Sequence, residues 1–133
     1  KDLKFIEKLS PEMCGIGPFV PHKDTKFKNE NHGDVSLVLM LLSIIRLLKP
    51  NILLPATTAL GTVDPLGREK GILHGANVVM PNLSPVKHRK DYSLYDNKIC
   101  TGDEAAQCIG CLADRMKKIG CEIVTDRGDY TEK

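Results

Sequence analysis

Tryptophan is absent from the 133 residues, and only three Phe and three Tyr are present. That leaves little material for the stacking platforms of single-strand nucleic-acid binders. Charge of one sign is not in excess either: 19 Lys and Arg stand against 17 Asp and Glu, a formal +2. Nucleic-acid binders normally carry a far more basic face. Long hydrophobic runs are missing. The most apolar stretch, Val35 to Leu48, has 14 residues and contains Ser36, Ser43 and Arg46, whereas a membrane helix needs about 20. It reads instead as a buried helix, and no membrane partner is expected. The N-terminal KDLKFIEKL is charged and amphipathic, with no apolar core or cleavage site of a leader, so a cytoplasmic protein is expected. With 41% hydrophobic and 27% charged residues, the composition is that of a folded chain about one domain in size.

Familiar catalytic signatures are also lacking. Gly15-Ile16-Gly17 begins like a dinucleotide fingerprint, but no third glycine follows at the required offset. There is no P-loop, and His22, His32, His74 and His88 show no H-E-x-x-H spacing. The charges at Lys87 to Lys90 read as solvated surface.

What is present is an alternation. Leu3, Phe5, Ile6 and Leu9 recur at helical spacing until Ser10-Pro11, so the chain opens inside a helix, without an initiator Met, as a processed chain or incomplete reading frame would. Met13 to Gly17 is strand-like, and a polar, Pro-rich loop runs from Pro18 to His32. Asp34 is placed to cap a helix that continues to about Leu48 and stops at Lys49-Pro50. Asn51 to Leu54 is a second strand, Leu66 to His74 a second helix ended by Gly75, and Asn77 to Met80 a third strand followed by a long loop. Asp103 is placed to cap a last helix to about Ile119, with Gly120 after it and a short strand from Cys121 to Val124. Continuous apolar strands interleaved with helices predict an α/β fold with a parallel sheet. Such sheets carry function at the C-terminal ends of their strands. Prolines brace those ends here, in Gly17-Pro18, Pro55-Ala56-Thr57-Thr58 and Met80-Pro81-Asn82.

Five cysteines are an odd number, and Cys100, Cys108 and Cys111 form C-x7-C-x2-C. The clustering suits metal chemistry in a reducing compartment better than a disulfide framework. A C-x2-C pair near a helix start brings two thiols within reach of one metal, with Cys100 as a third soft ligand. Spacing alone leaves reduced structural thiols, an iron–sulfur cluster and zinc all open, because no fourth ligand is evident. Cys14 and Cys121 read as small buried hydrophobes.

The segments MCGIGPFVPHKDT, ILLPATTALGT, GREKGILHGANVVMPNLSP and SLYDNKIC…CIGC, in this order, closely resemble the C-terminal part of the HydE family, the radical S-adenosylmethionine maturases of FeFe-hydrogenases. The likeness runs over nearly the whole chain, and the related biotin and methylornithine synthases resemble it less well. The resemblance implies the last three strand–helix units of a TIM-type (β/α)8 barrel, a partial barrel spanning residues 1–133, with a cysteine-containing helical region at 96–133. It implies S-adenosylmethionine and a 4Fe-4S cluster as cofactors, a small-molecule substrate sequestered in the barrel, and a role in assembling the di-iron subsite of the hydrogenase cluster. Partners would be the missing N-terminal barrel half and other hydrogenase maturases.

Carried to matching positions, the resemblance places Thr57 and Thr58 against a carboxylate-bearing substrate, with Met13, Met80 and Tyr95 walling the same cavity. Pro18, Tyr92 and Leu94 fall at or beside the surroundings of the adenosine. Cys100, Cys108 and Cys111 match an auxiliary iron–sulfur site that varies within the family. The cluster loop C-x3-C-x2-C is missing: successive cysteines lie 86, 8, 3 and 10 residues apart. Its ligands are therefore expected outside this chain, and the chain alone is expected to be inactive. The readings from other classes are a stand-alone iron–sulfur or zinc module and a purely structural partial barrel.

Overall fold

A computed structural model describes residues 1–92, 94–99, 105–124 and 127–131. Helix α1, Asp2–Leu9, closes on Ser10, whose left-handed backbone (φ 50°) returns its N–H to the Ile6 carbonyl. Helix α2, Val35–Leu48, starts where expected: the Asp34 carboxylate accepts from the Ser36 N–H at 2.7 Å and from the Leu37 N–H. These are two of the donors that a helix start leaves without intrahelical partners. The expectation of a buried helix needs correction. Val38, Leu39, Leu42 and Ile45 are buried, while Leu37, Met40, Leu47 and Leu48 on the other side are exposed. Among the described residues, chain packs against one face of α2 only.

The sheet is parallel, as expected. Strand β1, Pro55–Ala56, pairs with β2, Val78–Val79, in the register Pro55↔Val78 and Ala56↔Val79. On the opposite side of the same segment Met13 forms a parallel bridge with Leu53. Leu53 donates to the Glu12 carbonyl and accepts from the Cys14 N–H, whereas the Leu54 carbonyl accepts from Asn77 and Val78. The three expected strand segments thus lie side by side in chain order, the second in the middle. Each is shorter than expected, and the second is displaced toward Pro55. By the same alternation a Pro55 N–H would point toward the Met13 side, beyond the last pairing there, so proline costs the ladder nothing at this position. The Asn77 side-chain oxygen accepts from the Leu54 N–H at 2.8 Å and extends the pairing by one bond.

Two short helices follow β1. Helix α3, Thr58–Val63, lies between the expected second strand and second helix, where the sequence pattern marks no element, and α4, Gly67–Leu73, matches the expected second helix. They meet closely: a Cβ on Gly67 would lie 2.2 Å from the Leu60 carbonyl oxygen, so only glycine fits. The chain leaves α4 through Gly75 at φ +104°, and Arg46 donates to the Gly75 carbonyl at 2.8 Å, joining that turn to α2. A 3-10 helix, Val86–Tyr92, interrupts the expected long loop, and α5 spans Ala105–Lys118. Its expected cap, Asp103, lies outside the described residues. The strand expected at Cys121 to Val124 is absent. After Gly120 (φ +75°) the chain runs without a ladder partner, and the Cys121 N–H bonds back to Met116.

The core is aliphatic. Leu42, Ile45, Ile52, Leu54, Ala56 and Leu60 are almost wholly removed from water, with Ile16, Cys14 and Val79 packed against them. Cys14 and Cys121 are half-buried rather than buried, and burial raises the Cys14 thiol pKa. Among the described residues no helix is long and apolar enough to cross a membrane.

Candidate functional site

Beyond the sheet's C-terminal end, where β1 runs into α3 and β2 into the loop after it, lies a cavity of about 190 Å³. Its wall is Thr58, Arg68, Met80, Pro81, Asn82, Lys98 and Ile99. Thr58 is the first residue of α3, delivered by the β1 turn. Met80, Pro81 and Asn82 follow β2 directly. Arg68 comes from the first turn of α4 and is only 2% exposed. Among the described residues the wall contains two cations, a hydroxyl and a carboxamide, and no carboxylate. Two cations beside a hydroxyl and a carboxamide can accommodate an anionic group such as a carboxylate.

Two of the expected cavity residues, Thr58 and Met80, therefore meet in one wall. Tyr95 stands beside it. Burial raises the Tyr95 phenol pKa, against the lowering effects of a hydrogen bond with Thr62 and of the nearby Arg68 charge. The Thr62 hydroxyl donates to the Thr58 carbonyl at 3.0 Å and accepts from the Ile99 N–H. Thr57 serves as the cap of α3, its hydroxyl accepting from the Leu60 N–H at 3.3 Å. The first strand-end loop approaches it: a Cβ on Gly17 would lie 2.7 Å from the Thr57 hydroxyl oxygen. Met13 is half exposed at the bridge and lines no part of this cavity.

The adenosine set is not gathered. Pro18 is buried against Gly33, whereas Tyr92 and Leu94 project into solvent. One backbone bond, from the Asp96 N–H to the Pro21 carbonyl at 3.1 Å, ties the first strand-end loop to the Tyr95 segment. His22 and Asn82 make local loop bonds: His22 Nδ1 accepts from the Asp24 N–H, and the Asn82 side-chain oxygen accepts from the Ser84 N–H.

Of the cysteine triad, Cys100 lies outside the described residues. Cys108 is buried on α5, in line with Leu112 and Met116 at 2% exposure each. Its sulfur accepts from the Asn82 backbone N–H at 3.4 Å. Cys111 is exposed. Among the described residues no three His, Cys, Asp or Glu side chains are grouped to hold a metal.

Sequence reasoning missed the charged residues that assemble this region. Arg68 falls in the helical stripe with Gly71 and Ile72, and a charge at an apolar-stripe position was the available signal. Arg89, also buried, donates to the carbonyls of Asn82 (3.2 Å) and Ser84 (2.8 Å). Glu69 of α4 accepts two bonds from Arg115 of α5, one at 2.6 Å, and Arg115 also donates to the Pro65 carbonyl. Burial opposes ionisation of Glu69, yet the Arg115 bonds prevail and hold its carboxyl below the ordinary range.

No family model matches the chain. It is 44% identical over 127 residues to the [FeFe] hydrogenase maturase subunit HydE of Thermotoga maritima, an alignment covering 96% of this chain. The chain corresponds to the C-terminal part of that maturase and spans 36% of its length.

Proposed function

We propose that this chain is the C-terminal part of a radical S-adenosylmethionine maturase, forming an arc of a (β/α)8 barrel whose strand-end rim encloses a small, carboxylate-bearing substrate. The observation that carries the reading is the cavity in which Thr58 and Met80, placed there by motif, meet Arg68 and Lys98. The side-by-side parallel order of the three strand segments supports the arc, since a barrel places successive strands next to one another. The alternative of a stand-alone cluster or zinc module is not favoured, because the similarity extends over 96% of the chain rather than the cysteine segment alone.

In this reading the Thr58 hydroxyl donates to the substrate carboxylate, and Arg68 and Lys98 balance its charge. Thr57 fixes the start of α3 and hence the position of Thr58. Met80 and Tyr95 close the chamber against water, and Met13, which lines no part of the cavity in this chain, is assigned to the substrate by motif match alone. Pro18, Tyr92 and Leu94 border the adenosine, an assignment that draws on motif match alone. S-adenosylmethionine and a 4Fe-4S cluster, the cluster's ligands being expected outside this chain, would supply the radical chemistry when bound. Cys100, Cys108 and Cys111 would hold an auxiliary iron–sulfur cluster. The donor set of soft sulfurs and the backbone N–H on Cys108 suit one, since such hydrogen bonds tune cluster sulfurs.

Two measurements test this. The 133-residue chain, given S-adenosylmethionine and dithionite, is expected to release no 5′-deoxyadenosine, and a longer polypeptide containing it to release the nucleoside. In that longer protein Thr58→Val is expected to raise the substrate KM about tenfold, as loss of a hydrogen bond to a charged group would. Release of the nucleoside by the short chain, or an unchanged KM, would overturn the assignment.

A further inference from the structure

The loop from Met80 to Ser84 forms one side of the cavity, and its shape is held from two directions. Arg89 grips its carbonyls at Asn82 and Ser84, and the Asn82 side chain closes a turn on the Ser84 N–H at 3.2 Å. These contacts all come from within residues 82–89. A contact from elsewhere among the described residues is the Asn82 N–H donating to the Cys108 sulfur at 3.4 Å. It joins the cavity wall to a helix that begins 23 residues later, at Ala105.

We infer that Cys108 is a positioning residue for the cavity wall: its sulfur, seated in the buried Cys108, Leu112, Met116 stripe, fixes the Asn82 backbone and with it the wall that faces Thr58 and Arg68. The helix is well braced for this. Arg115, two turns further along α5, is clamped to Glu69 of α4, the residue next to Arg68, so α5 and the opposite wall share one anchor. A thiol sulfur is a weak acceptor, so the contact adds direction more than strength, and it reaches the chamber through the Asn82 peptide group. Cys111, exposed on the same helix, makes no such contact and serves as the internal control.

The assignment rests on the reading of this cavity as the substrate chamber, but its test reads the loop directly. Amide hydrogen exchange of the reduced 133-residue chain is measured by NMR for the wild type and for Cys108→Ala, Cys108→Ser and Cys111→Ser. Cys108→Ala is expected to speed exchange at Asn82 about fivefold, the worth of one ordinary hydrogen bond, and to leave the core amide of Leu42 unchanged. Cys108→Ser, which keeps an acceptor, is expected to give a smaller local rise of about twofold, and Cys111→Ser none. If the alanine variant does not fold, the serine pair carries the comparison. An unchanged Asn82 amide in the Cys108 variants, an equal response in Cys111→Ser, or a matching rise at Leu42 would overturn the proposal. The chamber reading fails separately, through the substrate KM.

Discussion

The two ends of this molecule are held by different forces. From Glu12 to Val79 the strands and helices α2 to α4 share an aliphatic core of Leu42, Ile45, Ile52, Leu54 and Leu60. From Met80 onward the chain contributes a narrow buried stripe on α5, and directional bonds carry much of its attachment: Arg115 to Glu69, Ile99 to Thr62, Asp96 to Pro21. Hydrophobic burial is non-directional and tolerates small shifts, whereas hydrogen bonds lose strength steeply with angle and distance. The cavity lies on the seam, drawing Thr58 and Arg68 from one region and Met80 to Asn82, Lys98 and Ile99 from the other. Its geometry is thus set by the region with the more exacting contacts.

That contrast can be broken from the core side first. Leu42→Ala removes a fully buried side chain and should cost about 3 to 4 kcal/mol. Urea unfolding should show both regions lost together, and survival of α5 protection in that variant would make the regions independent. From the seam side, Glu69→Gln leaves Arg115 without its carboxylate partner and should cost about 2 kcal/mol, less than a fully buried pair because Arg115 is partly exposed. Exchange in α5 should rise while the α2 amides hold. Acid should act at the same place. The folded carboxyl of Glu69 is held below its unfolded pKa of about 4.3, so its contribution is complete above that value and is lost as pH falls through the lower folded one. Wild-type Tm should fall in that window more than that of Glu69→Gln. The smallest effect sharpens the contrast within the core region itself: Asp34→Ala removes a helix cap and should cost about 1 kcal/mol in the same urea titration.

Long-period patterns were legible in the sequence. Asp34 followed by fourteen residues of leucine-rich helix announces α2, and Gly75 announces the end of α4. The outward side of α2 was not legible, because apolar composition does not say how much chain is available to cover it. Helix α3 escaped because its six residues are too short for a periodic signal and begin with threonines that equally suit a turn. Of the site, motif order pointed to Thr58 and Met80, which do share a wall. Arg68, Arg89 and the Glu69–Arg115 pair were hidden, since ion pairs between residues 46 apart leave no local pattern.

Gly67 reaches further than its own packing. Its bare α-carbon allows the start of α4 to press onto the Leu60 carbonyl, and the next residue along is the guanidinium bearer of the chamber. A methyl group at position 67 would push that helix outward and withdraw Arg68 with it. How deeply positive charge reaches into the hollow is therefore governed by a hydrogen atom one residue upstream, and any lineage wishing to retune that depth would have to rebuild the turn between α3 and α4 beforehand.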